Sequence, residues 1–208
     1  MSPIYNFLSD KKRTLKELES KQASGLVDEK VITILKLINS HQDYYTTSSC
    51  SGRVLLIALA HHGTKDRSEM LARFHDNIKK KDLKLAISKW KIHPELYFLA
   101  QPPIFHVTTH DLDAAIHLRN LGESAGFKYT TIRSIKKIQK KAKIDKQPEF
   151  RITVELLGTE RLNVPLGVNG RLVVDDSYLD LLVKLANEII MDSDKKIKKL
   201  EMILKDEL

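Results

Sequence analysis

The chain has 208 residues, of which 42% are apolar and 30% are charged, a balance typical of globular proteins. This length can form a core without staples, and we expect one domain spanning residues 1–208. Basic residues number 35 and acidic residues 27, a formal net charge of +8. No apolar stretch approaches the roughly 20 residues that cross a bilayer, so no membrane partner is expected.

The single cysteine, Cys50, excludes an internal disulfide and fits a reducing compartment. No CxxC pattern accompanies it, and a lone cysteine is too little to build a zinc site, so no metal site is expected. The first residues lack the features of a secretory signal, and the Lys-Asp-Glu-Leu sequence at 205–208 is interpreted as a charged helix end. We therefore expect a cytoplasmic protein, and the sequence leaves its oligomeric state open.

Hydrophobic periodicity predicts helices first, then strands with interspersed helices. Asp28 and Asp111 are candidate helix caps, and Asn169-Gly170 predicts a tight turn. The predicted helices cover residues 3–20, a segment after Asp28, 82–90, a segment from Asp111 to before Gly126, and a long C-terminal segment from about Asp176. The predicted strands cover residues 53–59, 95–101, 104–109, 127–135, 150–157 and 161–166, with 70–74 either a strand or a short helix.

The order of these elements lacks the regular alternation of a doubly wound fold. We expect an α+β fold, with a mixed β-sheet flanked by helices and a long C-terminal helix. The last two strands, 150–157 and 161–166, are expected to form a hairpin around Gly158-Thr159. The lysine-rich stretch 136–147 is expected to be a loop or hairpin tip.

The segment Tyr44–Arg53 (YYTTSSCSGR) carries the most chemistry of the chain. It combines hydroxyls, a thiol, a glycine and an arginine just before the apolar run 54–59. Small donors and a glycine at that place let a backbone approach a ligand closely. No phosphate-loop or dinucleotide pattern is present, so the residues alone predict a polar pocket wall.

Basic residues cluster, most densely in the six lysines between Lys136 and Lys146. Clustered cations attract nucleic acid by releasing counterions, and the alternative is a solvated surface. Lys128 and Arg133 flank Tyr129-Thr130-Thr131, and an aromatic residue among cations is typical of single-stranded RNA binding.

His106 is a candidate for proton transfer or recognition of a base edge. Strand alternation places Ile104 and His106 on one side and Phe105 and Val107 on the other. A neutral imidazole accepts a proton readily, and the alternative is a core histidine bonded to backbone. Cys50 is a candidate nucleophile or a half-buried structural thiol.

Several segments together resemble the wybutosine-synthesising protein 3 family, and the match runs in family order over about residues 25–200. The string Thr46–Arg53 is its most specific part. The carrying segments are Val27–Glu29, Tyr45–Arg53, Pro103–Val107, Ala125–Lys128, Leu162–Leu166, Gly170–Val174 and Leu185–Glu188.

This resemblance implies an S-adenosylmethionine-dependent methyltransferase. Members of the family methylate the N-4 nitrogen of a tricyclic wyosine-type base, derived from guanine 37 in phenylalanine tRNA. In the eukaryotic pathway this is the step from wybutosine-86 to wybutosine-72. The implied partner is the anticodon stem-loop. The catalytic candidates are His106, Ser49 and Cys50. The donor-binding candidates are Thr47, Ser48, Ser51, Gly52 and Arg53. The nucleic-acid-binding candidates are Lys128, Arg133, Lys136, Lys137, Lys140 and Lys141.

The chain departs from the family pattern at three places, Gln101–Pro103, Thr130–Ile132 and Glu155-Leu156, and no family role is carried over to them. Two other functions stay open at this point. One is an RNA-binding module without catalysis, and the other is a cysteine-dependent hydrolase that uses Cys50 and His106.

Overall fold

The computed structural model describes residues 7–60, 68–91, 93–138 and 149–208. It divides into two compact units. The first unit consists of residues 1–51, 103–159 and 195–208, and the second of residues 52–102 and 160–194. The expectation that the chain acts as one domain stays a prediction.

The elements alternate irregularly along the chain, which confirms the α+β class predicted from sequence. The helices are α1 (Phe7–Ala23), α2 (Ile32–Ser40), α3 (Lys80–Ile87), α4 (Leu112–Ser124) and α5 (Asp176–Glu207), with a 3₁₀ turn at Glu29–Val31. The strands are β1 (Tyr45–Cys50), β2 (Arg53–Leu59), β3 (Glu69–Phe74), β4 (Glu95–Gln101), β5 (Ile104–Thr109), β6 (Thr131–Ile138), β7 (Glu149–Leu157), β8 (Leu162–Val168) and β9 (Arg171–Leu172). Among the described residues, no helix has both the length and the apolar content that a membrane span requires.

The first unit contains a sheet of four antiparallel strands in the order β1-β5-β7-β6. Phe105 and Val107 of β5 and Val154 of β7 point into one core with apolar residues of α2 and α4 and of the last part of α5. Because side chains alternate along a strand, the residues between them, such as His106 and Glu155, point to the other face. That second face of the first sheet carries the polar residues described below.

The second unit contains five antiparallel strands in the order β3-β2-β4-β8-β9. Its core combines Val54 and Leu56 of β2 with Phe98 of β4, and it includes residues of α3 and of the first part of α5. Strand β2 lies between β3 and β4 and is mostly buried, as its apolar run predicts.

Several local predictions are confirmed. The Asp111 side chain accepts hydrogen bonds from the backbone N–H groups of Asp113 and Ala114 and caps α4. Gly126, just past the end of α4, has a φ of 98°, which favours glycine. Asn169 and Gly170 have φ angles of 51° and 76°, the backbone of a tight turn between β8 and β9.

Other local predictions are wrong. Strands β7 and β8 do not pair as a hairpin: β7 pairs with β5 and β6, and β8 pairs with β4. The strand expected at 127–135 begins at Thr131 and continues through Ile138, which carries it into the lysine-rich stretch. Asp28 stands before the 3₁₀ turn without capping it, and its carboxylate binds Ser51 instead.

Candidate functional site

A row of polar side chains crosses the second face of the first sheet, one from each strand. Ser48 of β1 is paired with His106 of β5, and His106 is paired with Glu155 of β7. Ser48 Oγ lies 2.6 Å from Nδ1 of His106, and Glu155 Oε2 lies 2.5 Å from Nε2. The Arg133 guanidinium of β6 donates to the same Glu155 oxygen. Both nitrogens of His106 therefore have side-chain partners, and the alternative of a histidine bonded to backbone is wrong.

Each edge strand of the first sheet has an irregularity in its register next to this row. On β1 the pairing skips Thr47, and on β6 it skips Arg133. An extra residue of this kind changes the direction in which the following side chains point. On β1 it places Ser48 opposite His106, while the skipped Thr47 donates through Oγ1 to the His106 carbonyl at 3.3 Å.

The charges within the row are balanced. Burial raises the pKa of Glu155, but hydrogen bonds from His106 and Arg133 and the positive charge of Arg133 outweigh it, so the net pKa is lowered. Glu155 is therefore ionised near neutral pH. Its side chain is only 12% exposed, that of His106 is 22% exposed, and that of Arg133 is 58% exposed.

A groove of about 200 Å³ runs between α1 and the edge strand β1. Hydroxyls of β1 line one wall, and α1 contributes a carboxylate, an ammonium group and apolar atoms. The lining residues are Thr14, Glu17, Leu18, Lys21, Leu26, Val27, Thr46, Thr47, Ser48 and Ser49. Ser48 belongs both to this groove and to the His106 row.

The structure gives the end of the Tyr44–Arg53 segment structural contacts. Ser51 is buried, and its backbone N–H and its hydroxyl both donate to Asp28 Oδ2, at 2.8 and 3.1 Å. In the second unit, Gly52 has a φ of 95°, and Arg53 Nε donates to Gln101 Oε1 at 2.9 Å. None of these three residues lines the groove. The donor-binding roles expected for them stay predictions.

Cys50 is half-buried and is paired with Ile104 across the strands, two positions along β1 from Ser48. Both ring nitrogens of His106 face other partners, Ser48 on one side and Glu155 on the other. Neither ring nitrogen is directed at the Cys50 thiol, which His106 would have to deprotonate in a cysteine-dependent hydrolase. This arrangement weighs against that function.

The expected nucleic-acid-binding residues divide into four groups. Arg133 is part of the His106 row, while Lys136 and Lys137 are exposed on β6, an edge strand of the first sheet. Lys128 is exposed in the turn between α4 and β6. Lys140 and Lys141 lie outside the described residues.

Sequence reasoning missed three charged residues of the site. Glu155 was assigned no role, although it is the one charged residue in the apolar run Ile152–Leu157 and could have been found by that contrast. Glu17 and Lys21 line the groove, but they lie on a helix rich in charges, and no local pattern distinguishes them.

Fold and site together define an α+β protein of two compact units, with an imidazole–carboxylate–guanidinium row on one sheet and no doubly wound nucleotide fold in the described residues. The chain matches the family model described as Methyltransferase TYW3 over residues 9–206 and belongs to that family. The resemblance seen in the sequence is confirmed, and with it the assignment to a family of methyltransferases.

The chain is similar to archaeal relatives of known name. The chain is 40% identical over 196 residues to tRNA(Phe) 7-((3-amino-3-carboxypropyl)-4-demethylwyosine(37)-N(4))-methyltransferase 1 of Pyrococcus furiosus, covering 94% of this chain and 93% of the relative. It is 39% identical over 191 residues to methyltransferase 2 of the same description from Thermococcus kodakarensis, covering 92% and 84%.

Solved structures share the fold of this chain. The structure of the PH1069 protein from Pyrococcus horikoshii superposes with a TM-score of 0.82 at 37% identity, covering 96% of both chains. A hypothetical protein from Aeropyrum pernix, at 23% identity and a TM-score of 0.69, covers 86% of this chain and 98% of its own and shares the fold.

Proposed function

We propose that this chain transfers a methyl group from S-adenosylmethionine to the N-4 nitrogen of the wyosine-type tricyclic base at position 37 of phenylalanine tRNA. The observation that supports this most is His106, held between Ser48 and Glu155, with Ser48 also lining a groove. Family membership and the names of the relatives support the substrate class.

The groove offers donors and acceptors that suit the methyl donor. Glu17 and the β1 hydroxyls can bind ribose hydroxyls, Lys21 can pair with a carboxylate, and Leu26 and Val27 offer an apolar wall to a purine. Its volume of about 200 Å³ lies below the roughly 300 Å³ of the smallest typical ligand pockets, so it accommodates a part of the donor. S-adenosylmethionine, when bound, supplies a methyl group activated by a sulfonium.

The protein's own task is then to position the reacting nitrogen and to take up its proton. Holding two reacting groups in line lowers the barrier without a strong nucleophile. A base in an anticodon loop is unstacked at a cost of only a few kcal/mol. The exposed side chains of Lys128, Lys136 and Lys137 can bind the phosphates of the stem-loop.

The test is a methyl-transfer assay with tRNA that bears the unmethylated tricyclic base, followed by mass spectrometry of the nucleosides. We expect the wild-type protein to add one methyl group and His106→Ala to lose most of the rate. His117→Ala is the matched control, because His117 is an exposed histidine on α4. Wild-type protein that binds the tRNA but neither binds S-adenosylmethionine in calorimetry nor methylates would favour the RNA-binding module.

A further inference from the structure

Three groups of the polar row form a path from solvent to the interior. Ser48 is exposed on the edge strand and lines the groove. His106, on the next strand, is 22% exposed and does not line it, and Glu155, one strand further, is 12% exposed. A substrate atom in the groove therefore meets Ser48 before it meets the imidazole.

The contacts of His106 determine which ring nitrogen carries the proton. Glu155 is ionised, so a separation of 2.5 Å between its Oε2 and Nε2 requires an N–H on the nitrogen. Arg133 donates to that same oxygen, and its Nη1 also lies 3.2 Å from Nε2. Because a guanidinium only donates, the second contact is a hydrogen bond only if Nε2 is unprotonated, and the much shorter separation between Nε2 and the ionised Glu155 oxygen favours the N–H on Nε2 instead. The neutral ring is therefore protonated on Nε2, and Nδ1 accepts the Ser48 hydroxyl at 2.6 Å.

We propose that Ser48 is the catalytic residue that takes the proton from the substrate nitrogen, and that Glu155 is a positioning residue that fixes the His106 tautomer. This inference rests on the proposed function. It gives His106 the role of the base behind Ser48, in place of direct contact with the substrate.

The step balances in atoms and electrons. The lone pair of the substrate nitrogen forms the new bond to the methyl carbon, and the carbon–sulfur bond breaks with its electron pair left on sulfur. The nitrogen's proton passes to Ser48 Oγ while the Ser48 hydroxyl proton passes to Nδ1 of His106. The resulting imidazolium keeps its Nε2–H on Glu155 and later loses the Nδ1 proton to solvent through Ser48.

Kinetics of two Ser48 variants test the proton path. We expect Ser48→Ala to lower kcat by ~10²- to 10⁴-fold, the usual contribution of acid–base catalysis, with the KM for tRNA nearly unchanged. Ser48→Thr keeps a hydroxyl at the same position and should recover at least a tenth of the wild-type kcat. Ser124→Ala is the matched control, because it removes an exposed hydroxyl at the end of α4.

The role of Glu155 has its own measurement, the ¹⁵N chemical shifts of the His106 ring at neutral pH. The wild-type ring should show protonated Nε2 and unprotonated Nδ1. Glu155→Gln should show a mixture of the two tautomers together with a lower kcat, whereas a merely structural residue would leave the tautomer unchanged. A wild-type ring protonated on Nδ1 would overturn the assignment.

The two levels of the hypothesis fail in different ways. Wild-type protein without methyl transfer overturns the proposed function and, with it, the proton path. Wild-type transfer with Ser48→Ala as fast as Ser124→Ala overturns the proton path alone.

Discussion

Arg133 and His106 both donate to one oxygen of Glu155, although the three residues come from three different strands. The hydrogen bonds from these two donors keep the carboxylate ionised in spite of its burial, and the pKa of Glu155 is lowered as a result. The same arrangement ties the stability of the first unit to pH.

We expect the Glu155 contribution to stability to disappear in acid. A carboxylate whose pKa is lower in the folded state stabilises fully above its unfolded value of about 4.3 and loses that contribution as the pH falls through the folded pKa. Near pH 7, Glu155→Gln should lower the free energy of unfolding by about 1–2 kcal/mol. Urea unfolding from pH 7 to pH 3 measures the difference in free energy of unfolding between wild type and Glu155→Gln. This difference should become smaller below about pH 4.3.

Glu123→Gln is the control for that titration, because Glu123 pairs with Arg119 on an exposed helix surface. The free energy of unfolding of this control variant should differ little from that of wild type at every pH. If Glu155→Gln lowered the free energy of unfolding by the same amount at pH 3 as at pH 7, the stabilising role of the ionised carboxylate would be contradicted.

Gly122 of α4 is expected to tolerate no side chain. An added Cβ would lie 2.1 Å from Cδ2 of Leu156, which is fully buried in the core. Overpacking costs about 1–3 kcal/mol, whereas replacing a helical glycine by alanine gains at most about 1 kcal/mol. Gly122→Ala should therefore lower Tm, as measured by circular dichroism.

A second substitution checks that explanation. Leu156→Val removes the atom that the new Cβ would meet, so the loss in the double variant should be smaller than the sum of the two single losses. If the loss in the double variant equalled the sum of the two single losses, the added Cβ would not be meeting Leu156.

Asp28 is expected to stabilise the end of β1. Its carboxylate accepts from the N–H and the hydroxyl of Ser51, which is 2% exposed. Asp28→Ala leaves these buried donors without that acceptor and should cost about 1–3 kcal/mol in urea unfolding, while Asp28→Asn, which keeps one oxygen, should cost less. The neighbouring exposed Glu29 supplies the control, and Glu29→Ala with an equal loss would refute the specific role of Asp28.

Lys136 and Lys137 are expected to contribute to tRNA affinity through phosphates. The double variant Lys136→Ala/Lys137→Ala should reduce the slope of log K against log salt by about 1–2, because each phosphate contact releases close to one counterion. Fluorescence anisotropy with labelled tRNA between 50 mM and 200 mM salt, the range over which such contacts change affinity most visibly, is the measurement.

Lys198 and Lys199 are exposed on α5 and provide a charge-matched control. An equal change of slope in Lys198→Ala/Lys199→Ala would mean that the total charge of the protein, rather than the β6 edge, determines the salt dependence.

Sequence patterns predicted the elements better than their partners. The apolar spacing of α5, the Asp111 cap and the Asn169-Gly170 turn are local, and each is present as expected. The pairing of β8 with β4 depends on contacts far along the chain, and a short turn after β7 suggested a hairpin that does not form. The sequence predicts a polar pocket wall at Tyr44–Arg53, and Thr46–Ser49 do line the groove. It does not predict that Tyr45–Cys50 is an edge strand, where polar side chains are compatible with pairing on one side only.

In the site, too, local patterns identified single residues but not their partners. His106 was identified from strand alternation, and Ser48 from the density of hydroxyls around it. Their partner Glu155 is 49 residues from His106 along the chain, so only the register of β5 with β7 reveals the contact.

The unpaired Thr47 decides which side chain of β1 stands across from His106. In an uninterrupted ladder that kept every residue and held Tyr45 opposite Thr108, Thr47 would take that position and Ser48 would lie opposite Phe105. Deleting Thr47 would restore an uninterrupted ladder and leave Ser48 opposite His106, and only the contact of Thr47 with the His106 carbonyl would be lost. A homologue that is one residue shorter here can therefore retain the same serine–histidine pair, and homologues should be aligned by strand register before any serine is equated with Ser48.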